Sequence, residues 1–426
     1  MLLYLYISVL LALGLLLFVA PAHALAGVLL LYAIDQLGQA SSPILANNPV
    51  LTNYVIACFS VAAAYIQFSK RGSPVFHFGG TFIATSLMLG FAFLSTSWAI
   101  NTDNALETWK NMAPYLALIL LISPNLIADS RDLNRTFSSL LILGAAVIFA
   151  LTFFAEWGHR GVAIAGELDR YRNIATSNPL AAAQIGGYLA LTAFGFILND
   201  RNPLRRLAYG LIAISATILI VKSGSRGQLI ALPIAIVFAY ILTNSSFARR
   251  KTVAAVVPTL LVFFIAQQVL VSAEDIAVRW EGDQFSSGID VRAYYFSTLL
   301  TYWMNSEWWT LLVGIGSTSA QHPSVIGTYP HFLALEVLTE YGVIGLLLLC
   351  YILFRTYRTT YLSARHSSAH KENPTPLWIL AALFTFAFLV SFKQGNLLTN
   401  LDLFLFAILI DKQKHLRQSH EPRQTL

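Results

Sequence analysis

The chain of 426 residues is 56% hydrophobic and only 11% charged, with 27 Lys and Arg against 21 Asp and Glu. That composition excludes a soluble globule, because apolar runs close to the ~20 residues that cross a bilayer as helix recur from end to end. Lipid tolerates only helices and closed barrels, and continuous rather than alternating apolar runs select helices. The sequence therefore predicts an all-α, polytopic integral membrane protein.

In chain order the predicted spans are 2–19, 22–34, 50–68, 78–97, 112–127, 136–156, 179–199, 206–222, 227–243, 253–271, 332–354, 376–392 and 397–411. Residues 2–34 read either as two crossings or as one kinked at Pro21. A cytoplasmic N-terminus requires the single crossing and gives about 12 transmembrane helices in all. No basic leader and no cleavage site mark the first run, so a removable signal peptide is not expected.

Orientation follows from the cations. Basic turns at Lys70–Arg71, Arg131/Arg135, Arg201/Arg205/Arg206 and Arg249–Arg250–Lys251 join the segment holding Arg355, Arg358, Arg365 and Lys371, and the tail from Lys412. Together they contain 18 of the 27 Lys and Arg, and alternating spans put all of them on one side, which is cytoplasmic. The other side keeps nine: Lys110, Arg160, Arg170, Arg172, Lys222, Arg226, Arg279, Arg292 and Lys393. The net positive charge thus belongs mostly to loops beside anionic lipid and is no sign of nucleic-acid binding. Three parts follow: N-terminal transmembrane helices over 1–205, a core over 206–354 with one large outer loop at 273–331 containing short helices, and a C-terminal hairpin and tail over 355–426.

Cys58 and Cys350 both fall within spans and suggest neither disulfide nor metal site. No Walker sequence, HExxH, CxxC or GxSxG occurs, and no DxD-like pair for metal-bound sugar nucleotide, so neither a metal nor another cofactor is expected. The candidates for chemistry are instead cations and a histidine at the outer ends of spans. Arg226, in VKSGSRGQLIALPIA, sits at a Gly-Ser turn where helix-terminal amides and a planar guanidinium suit phosphate; a snorkelling interfacial arginine is the plainer reading. Arg292 opens an aromatic segment, VRAYYFSTLLTYW, that suits the membrane interface, and Asp290 is a candidate to neutralise it. Arg172, beside Arg170, precedes a span and is otherwise an ordinary loop charge. His331 stands at the mouth of a span, and histidine alone among these can take a hydroxyl proton near neutral pH; the bland alternative is a helix cap. His322 is weaker, while Glu336 and Glu340 lie deeper on the same helix, where carboxylates are rare.

SGSRGQLIALPIA, SGIDVRAYY, VGIGSTS and PHFLALEVLTEYGVIGLLLL occur in the order characteristic of the O-antigen ligase and O-antigen polymerase superfamily, and the stretch 206–350 resembles its shared domain. The family often has His-Asn where this chain has His331–Phe332. The resemblance implies a glycosyltransferase of the bacterial inner membrane, active on the periplasmic side. Its donor is a glycan on undecaprenyl pyrophosphate and its acceptor is lipid A–core, or a second lipid-linked glycan in a polymerase. It implies that Arg226 and Arg292 hold the pyrophosphate, with Arg172 as a further contact, and that His331 activates the acceptor hydroxyl with inversion at the anomeric carbon. One dominant outer loop favours ligase over polymerase by family analogy. A flippase for lipid-linked oligosaccharide is the rival of another class; buried charge midway along several spans and related halves would mark it, and neither stands out in the sequence.

Overall fold

The computed structural model describes residues 1–71, 79–157, 161–168, 174–243, 264, 282–370 and 374–418. Helix dominates as expected, and among the described residues eight helices are long and apolar enough to cross a membrane. The expectation of an all-α chain needs one correction. A short antiparallel hairpin, β1 (Ala163–Leu168) and β2 (Ile174–Thr176), interrupts the helices. The predicted span 253–271 lies, apart from residue 264, outside the described residues.

The N-terminal region forms two antiparallel arms, of which α1 is long and apolar enough to cross a membrane. Helix α1 (Leu2–Val19) is apolar on every side, so nothing but lipid or other helices suits it. After Pro21 the chain reverses through α2 (His23–Leu29) and α3 (Leu31–Ser41), a buried segment bent at Leu30. Tyr6, near the start of α1, packs against Gly38, and Leu13 packs against Gly27, so the two arms run antiparallel. The short α4 (Pro43–Asn47) then leads into α5 (Val50–Arg71). Tyr6 also hydrogen-bonds Thr52 at 3.0 Å, which places the start of α1 beside the start of α5.

Helix α6 (Gly80–Leu94) follows, then α7 (Thr102–Leu116), which carries Pro114 and passes into a wide π-helical turn at Ala117–Ile122 and the short α8 (Ser123–Asn125). Proline supplies no amide hydrogen to the helical ladder, which accounts for the widened turn where a continuous span 112–127 is expected. Asp129 caps α9 (Ser130–Phe153). Asn178 and Asn202, each followed by proline at the first helical position, cap α10 (Pro179–Asn199) and α11 (Pro203–Lys222). A tight Gly-Ser turn joins α11 to α12 (Arg226–Thr243). Within the predicted loop 273–331 the described residues form α13 (Gly282–Met304), a helix of 23 residues, the short α14 (Trp308–Val313) and a 3-10 turn at Ser319–Gln321.

The centre of the bundle is α10, α16 (Thr375–Val390) and α17 (Leu401–Gln418), with α2 and α3 beside them. Small residues permit the close approach, as in lipid generally. A methyl added at Gly187 of α10 would stand 2.1 Å from the Phe386 ring, and one at Gly195 would stand 2.3 Å from Ile379. Helix α16 is only 16 residues long and buried by its neighbours.

Helix α15 (Leu333–His370) is broken at Gly342, whose φ of 66° and ψ of −167° leave the helix. The carbonyls of Thr339 and Glu340 are thereby free to accept from Ile315 at 2.9 Å and Gly316 at 3.0 Å, backbone amides of the turn after α14. At the far end of α15, Arg355 pairs with Asp411 at 3.4 Å, and the buried Lys412 donates to the Pro124 carbonyl at 2.7 Å. The two ends of the bundle are the His331 end and this Arg355 end.

Candidate functional site

Three elements converge at the His331 end: the turn between α11 and α12, the middle of α13, and the loop 391–400 between α16 and α17. The chain enters α15 through Tyr329, Pro330 and His331, and His331 takes a left-handed φ of 59°. That region disfavours side chains with a Cβ, though histidine tolerates it better than most. The conformation is fixed from both sides. The Tyr329 ring lies against the imidazole with centroids 3.9 Å apart, and the Leu333 amide donates to the Ser391 carbonyl at 3.0 Å.

Phe332 packs between two rings. Its centroid is 5.0 Å from Phe392 and 6.1 Å from Phe296 of α13. Arg292 lies four residues before Phe296 and so shares its helical face. The aromatic contact therefore sets Arg292 one turn along from the entrance to α15. Asp290 and Arg292 are two residues apart on a helix, point to different sides, and form no ion pair among the described residues.

The charges of these groups act on one another. Burial, and then the Arg292 guanidinium, hold the His331 pKa below its ordinary value, so the imidazole is neutral at neutral pH. Burial also pushes the Tyr329 phenol up, opposed in part by Arg292. Lys393 is brought down to about 8, mainly by burial and then by the charges of Arg292 and Arg226. Arg292 thus acts on His331, and Arg292 and Arg226 both act on Lys393, which sequence reasoning counts among the outer cations but does not single out. Gly227 makes room for it: a methyl there would stand 2.2 Å from Lys393 Cδ. Arg172 and Arg170 lie outside the described residues.

A chain of buried amides anchors the cluster. Ser225 donates to Gln228, Gln228 Nε2 donates to Gln394 Oε1 at 2.5 Å, and Gln394 Nε2 donates to Gln184 Oε1 at 3.2 Å. Gln184 and Tyr188 both donate to Asp402 Oδ2, at 3.0 and 2.7 Å. Lys393 Nζ donates to Ser225 Oγ at 3.2 Å. The signal for these residues is present in the sequence as single amides within apolar runs, AAAQIGG and SRGQLIAL, but nothing local says that they meet.

Glu336 and Glu340 serve neighbouring loops. Glu336 Oε1 accepts from the Leu397 amide at 3.1 Å, and Glu340 accepts from the amides of Thr318 and Ala320 at 2.7 and 3.1 Å. Among the described residues neither hydrogen-bonds to His331. His322 is half-buried and its ring bonds Ser324. A neutral base beside Arg292, whose charge also reaches Lys393 in a cluster with Arg226, can take a proton next to a strongly anionic group held by those cations.

No protein-family model matches the chain, and no curated protein matches it.

Proposed function

We propose that this protein is a membrane glycosyltransferase of the O-antigen ligase type. It moves a glycan from undecaprenyl pyrophosphate to a hydroxyl of lipid A–core at the periplasmic face of the bacterial inner membrane. The observation that carries the proposal is that Arg292 acts on both a neutral His331 and Lys393, and that Arg226 acts on the same Lys393. In this reading the His331 end faces the periplasm and the Arg355 end, where Lys and Arg are dense, faces the cytoplasm. The exposed aromatic side chains of α13 and α14, among them Tyr294, Trp308 and Trp309, lie at the outer membrane interface.

The chemistry is a displacement at the anomeric carbon. The C1–O bond to pyrophosphate breaks and its electron pair leaves with the phosphate oxygen. The acceptor oxygen bonds to C1 from the opposite side, which inverts the centre, and His331 removes the acceptor proton. Negative charge develops on the departing pyrophosphate, and fixed cations in a partly desolvated site stabilise it as it forms. Arginine suits this role because its planar fork meets two phosphate oxygens at once.

The transporter reading has less support. A broken helix and buried carboxylates are features of carriers, but three of the four oxygens of Glu336 and Glu340 are engaged by loop amides. Reconstitution in liposomes with purified lipid-linked glycan tests the proposal, with lipid A–core and a second lipid-linked repeat as competing acceptors. The expected product is glycan on lipid A–core; glycan on the lipid-linked repeat would make the enzyme a polymerase on the same site. His331→Ala should lower kcat by at least about 10²-fold, the lower end for a general base, with donor binding retained. Undiminished turnover in that variant would refute the assignment.

A further inference from the structure

Behind Tyr329, among the ends of α3, α10 and α17, lies a cavity of about 380 Å³. Its size falls within the ~300–1,000 Å³ typical of small-molecule sites. The lining differs in kind from the cation cluster on the other side of His331. It is made of amides, hydroxyls and one carboxylate, and among the described residues it includes no Lys, Arg or His. Two of its polar side chains lack partners. Gln36 is 4% exposed; its Nε2 donates to the Asn178 carbonyl at 2.7 Å, but its buried Oε1 has no hydrogen-bond partner. Ser177 is 9% exposed and its Oγ has none either. Asp35 Oδ2 accepts from Gln39 at 2.8 Å and the carboxylate also meets Thr52, which leaves acceptor capacity for a ligand.

Buried polar atoms in folded proteins are nearly always paired; Gln36 Oε1 and Ser177 Oγ sit just behind the cavity wall, on residues that line it, and a turn of either side chain offers them to a ligand. An amide oxygen needs a donor, a carboxylate needs donors, and a serine hydroxyl accepts either role. Sugar hydroxyls both donate and accept, and therefore satisfy all three. An anionic ligand would meet Asp35 with no cation to offset it. The wall is held in place, since Gln184 and Gln394 belong to the amide chain that continues to Lys393. Tyr329 lines the cavity and contacts His331, so a sugar bound there presents its hydroxyls beside the base.

We propose that this cavity binds a neutral sugar, the residue of the acceptor that carries the hydroxyl to be glycosylated. Its place in catalysis rests on the glycosyl-transfer reading, whereas the binding does not. The test has two arms on the full-length protein. In detergent, saturation-transfer NMR is run with glucose, galactose, N-acetylglucosamine and their disaccharides, and with glucose 6-phosphate as the anionic comparison. At least one neutral sugar should receive saturation from the wild type and from His331→Ala. That signal should fall about fivefold or more in Ser177→Ala, which removes only an unpartnered hydroxyl, and in Gln36→Met.

In proteoliposomes supplied with lipid-linked donor and acceptor, the same two variants should raise the acceptor KM by about five- to tenfold and leave the donor KM unmoved. The cavity assignment is overturned if no neutral sugar is bound, if binding is unchanged in both variants, if glucose 6-phosphate binds as well as the neutral sugars, or if the donor KM rises instead. Sugar binding that both variants abolish, in a protein that transfers no glycan to any acceptor, would refute the enzymatic reading and leave the sugar site standing.

Discussion

At the scale of single residues, His331 and Lys393 are tuned in the same direction by burial and by nearby cations, yet they must be in opposite protonation states to act. A base must be neutral. The His331 pKa is depressed, so kcat/KM should rise with an apparent pKa below the ~6.5 of free histidine and be lost as pH falls through it. A phosphate-binding lysine must be charged. Lys393 loses its proton as pH rises through about 8, so the donor KM should climb there and close a bell-shaped profile. A pH–rate profile that stays flat on the alkaline side would separate Lys393 from donor binding, and Lys393→Met should remove the alkaline limb along with most of the activity. His331, Arg226 and Arg292 are legible in the sequence because ionisable groups at the ends of apolar runs are few. Lys393 is not legible as a member of the site, because only the folded loop 391–400 carries it to the turn before α12. Phe332 looks like a lost polar contact in the sequence; in the structure it is the wedge between Phe296 and Phe392.

At the scale of elements, the break in α15 is the feature least visible beforehand, since GVIGLLLL reads as uninterrupted span and an isolated glycine is tolerated in a helix. Tertiary packing explains it. Gly314, at φ 84°, and Gly342, at φ 66°, let two backbones touch: a methyl on Gly314 would stand 2.1 Å from the Glu340 carbonyl oxygen, and one on Gly342 would stand 2.2 Å from that of Leu312. Gly342→Ala must therefore both enter a left-handed conformation, which costs about 1–2 kcal/mol, and move rigid backbone. We expect a clear loss of thermal stability in detergent together with release of α14, detectable as faster amide exchange at Ile315 and Gly316. Gly210, on α11, is the contrast. It is helical, with nothing within 4 Å of an added methyl, so Gly210→Ala should stabilise by about 0.5–1 kcal/mol. Equal melting temperatures for the two variants would count against the docking of the 314–320 turn as a structural keystone.

At the scale of the whole molecule, the basic turns place most loops on one side or the other, but they leave the first crossing open. Long-range contacts that no local pattern encodes bear on it. Tyr6 reaches Thr52 at one end of the bundle, while Thr136 donates to the Ala22 carbonyl at 2.8 Å and His23 meets Ser139 at 2.6 Å at the other. Helix α5 starts beside Tyr6 and ends at Lys70–Arg71. The chain thus traverses the bundle twice before residue 42, and Met1 lies at the opposite end from Lys70. If both arms cross the membrane and Lys70 is cytoplasmic, the N-terminus lies on the outer side, whereas a single crossing keeps the cytoplasmic N-terminus and the twelve crossings. The test is side-specific labelling in a background with Cys58 and Cys350 replaced: cysteines at Leu2 and Asn48 should react with an impermeant maleimide from the same side of sealed vesicles, and one at Lys70 only from the other. Reaction of Leu2→Cys from the Lys70 side would mean that α1 does not run antiparallel to α2 and α3. It would also leave Tyr6 without its Thr52 partner, and Tyr6→Phe, which should otherwise lower the melting temperature slightly through the loss of a buried hydrogen bond, would then be neutral.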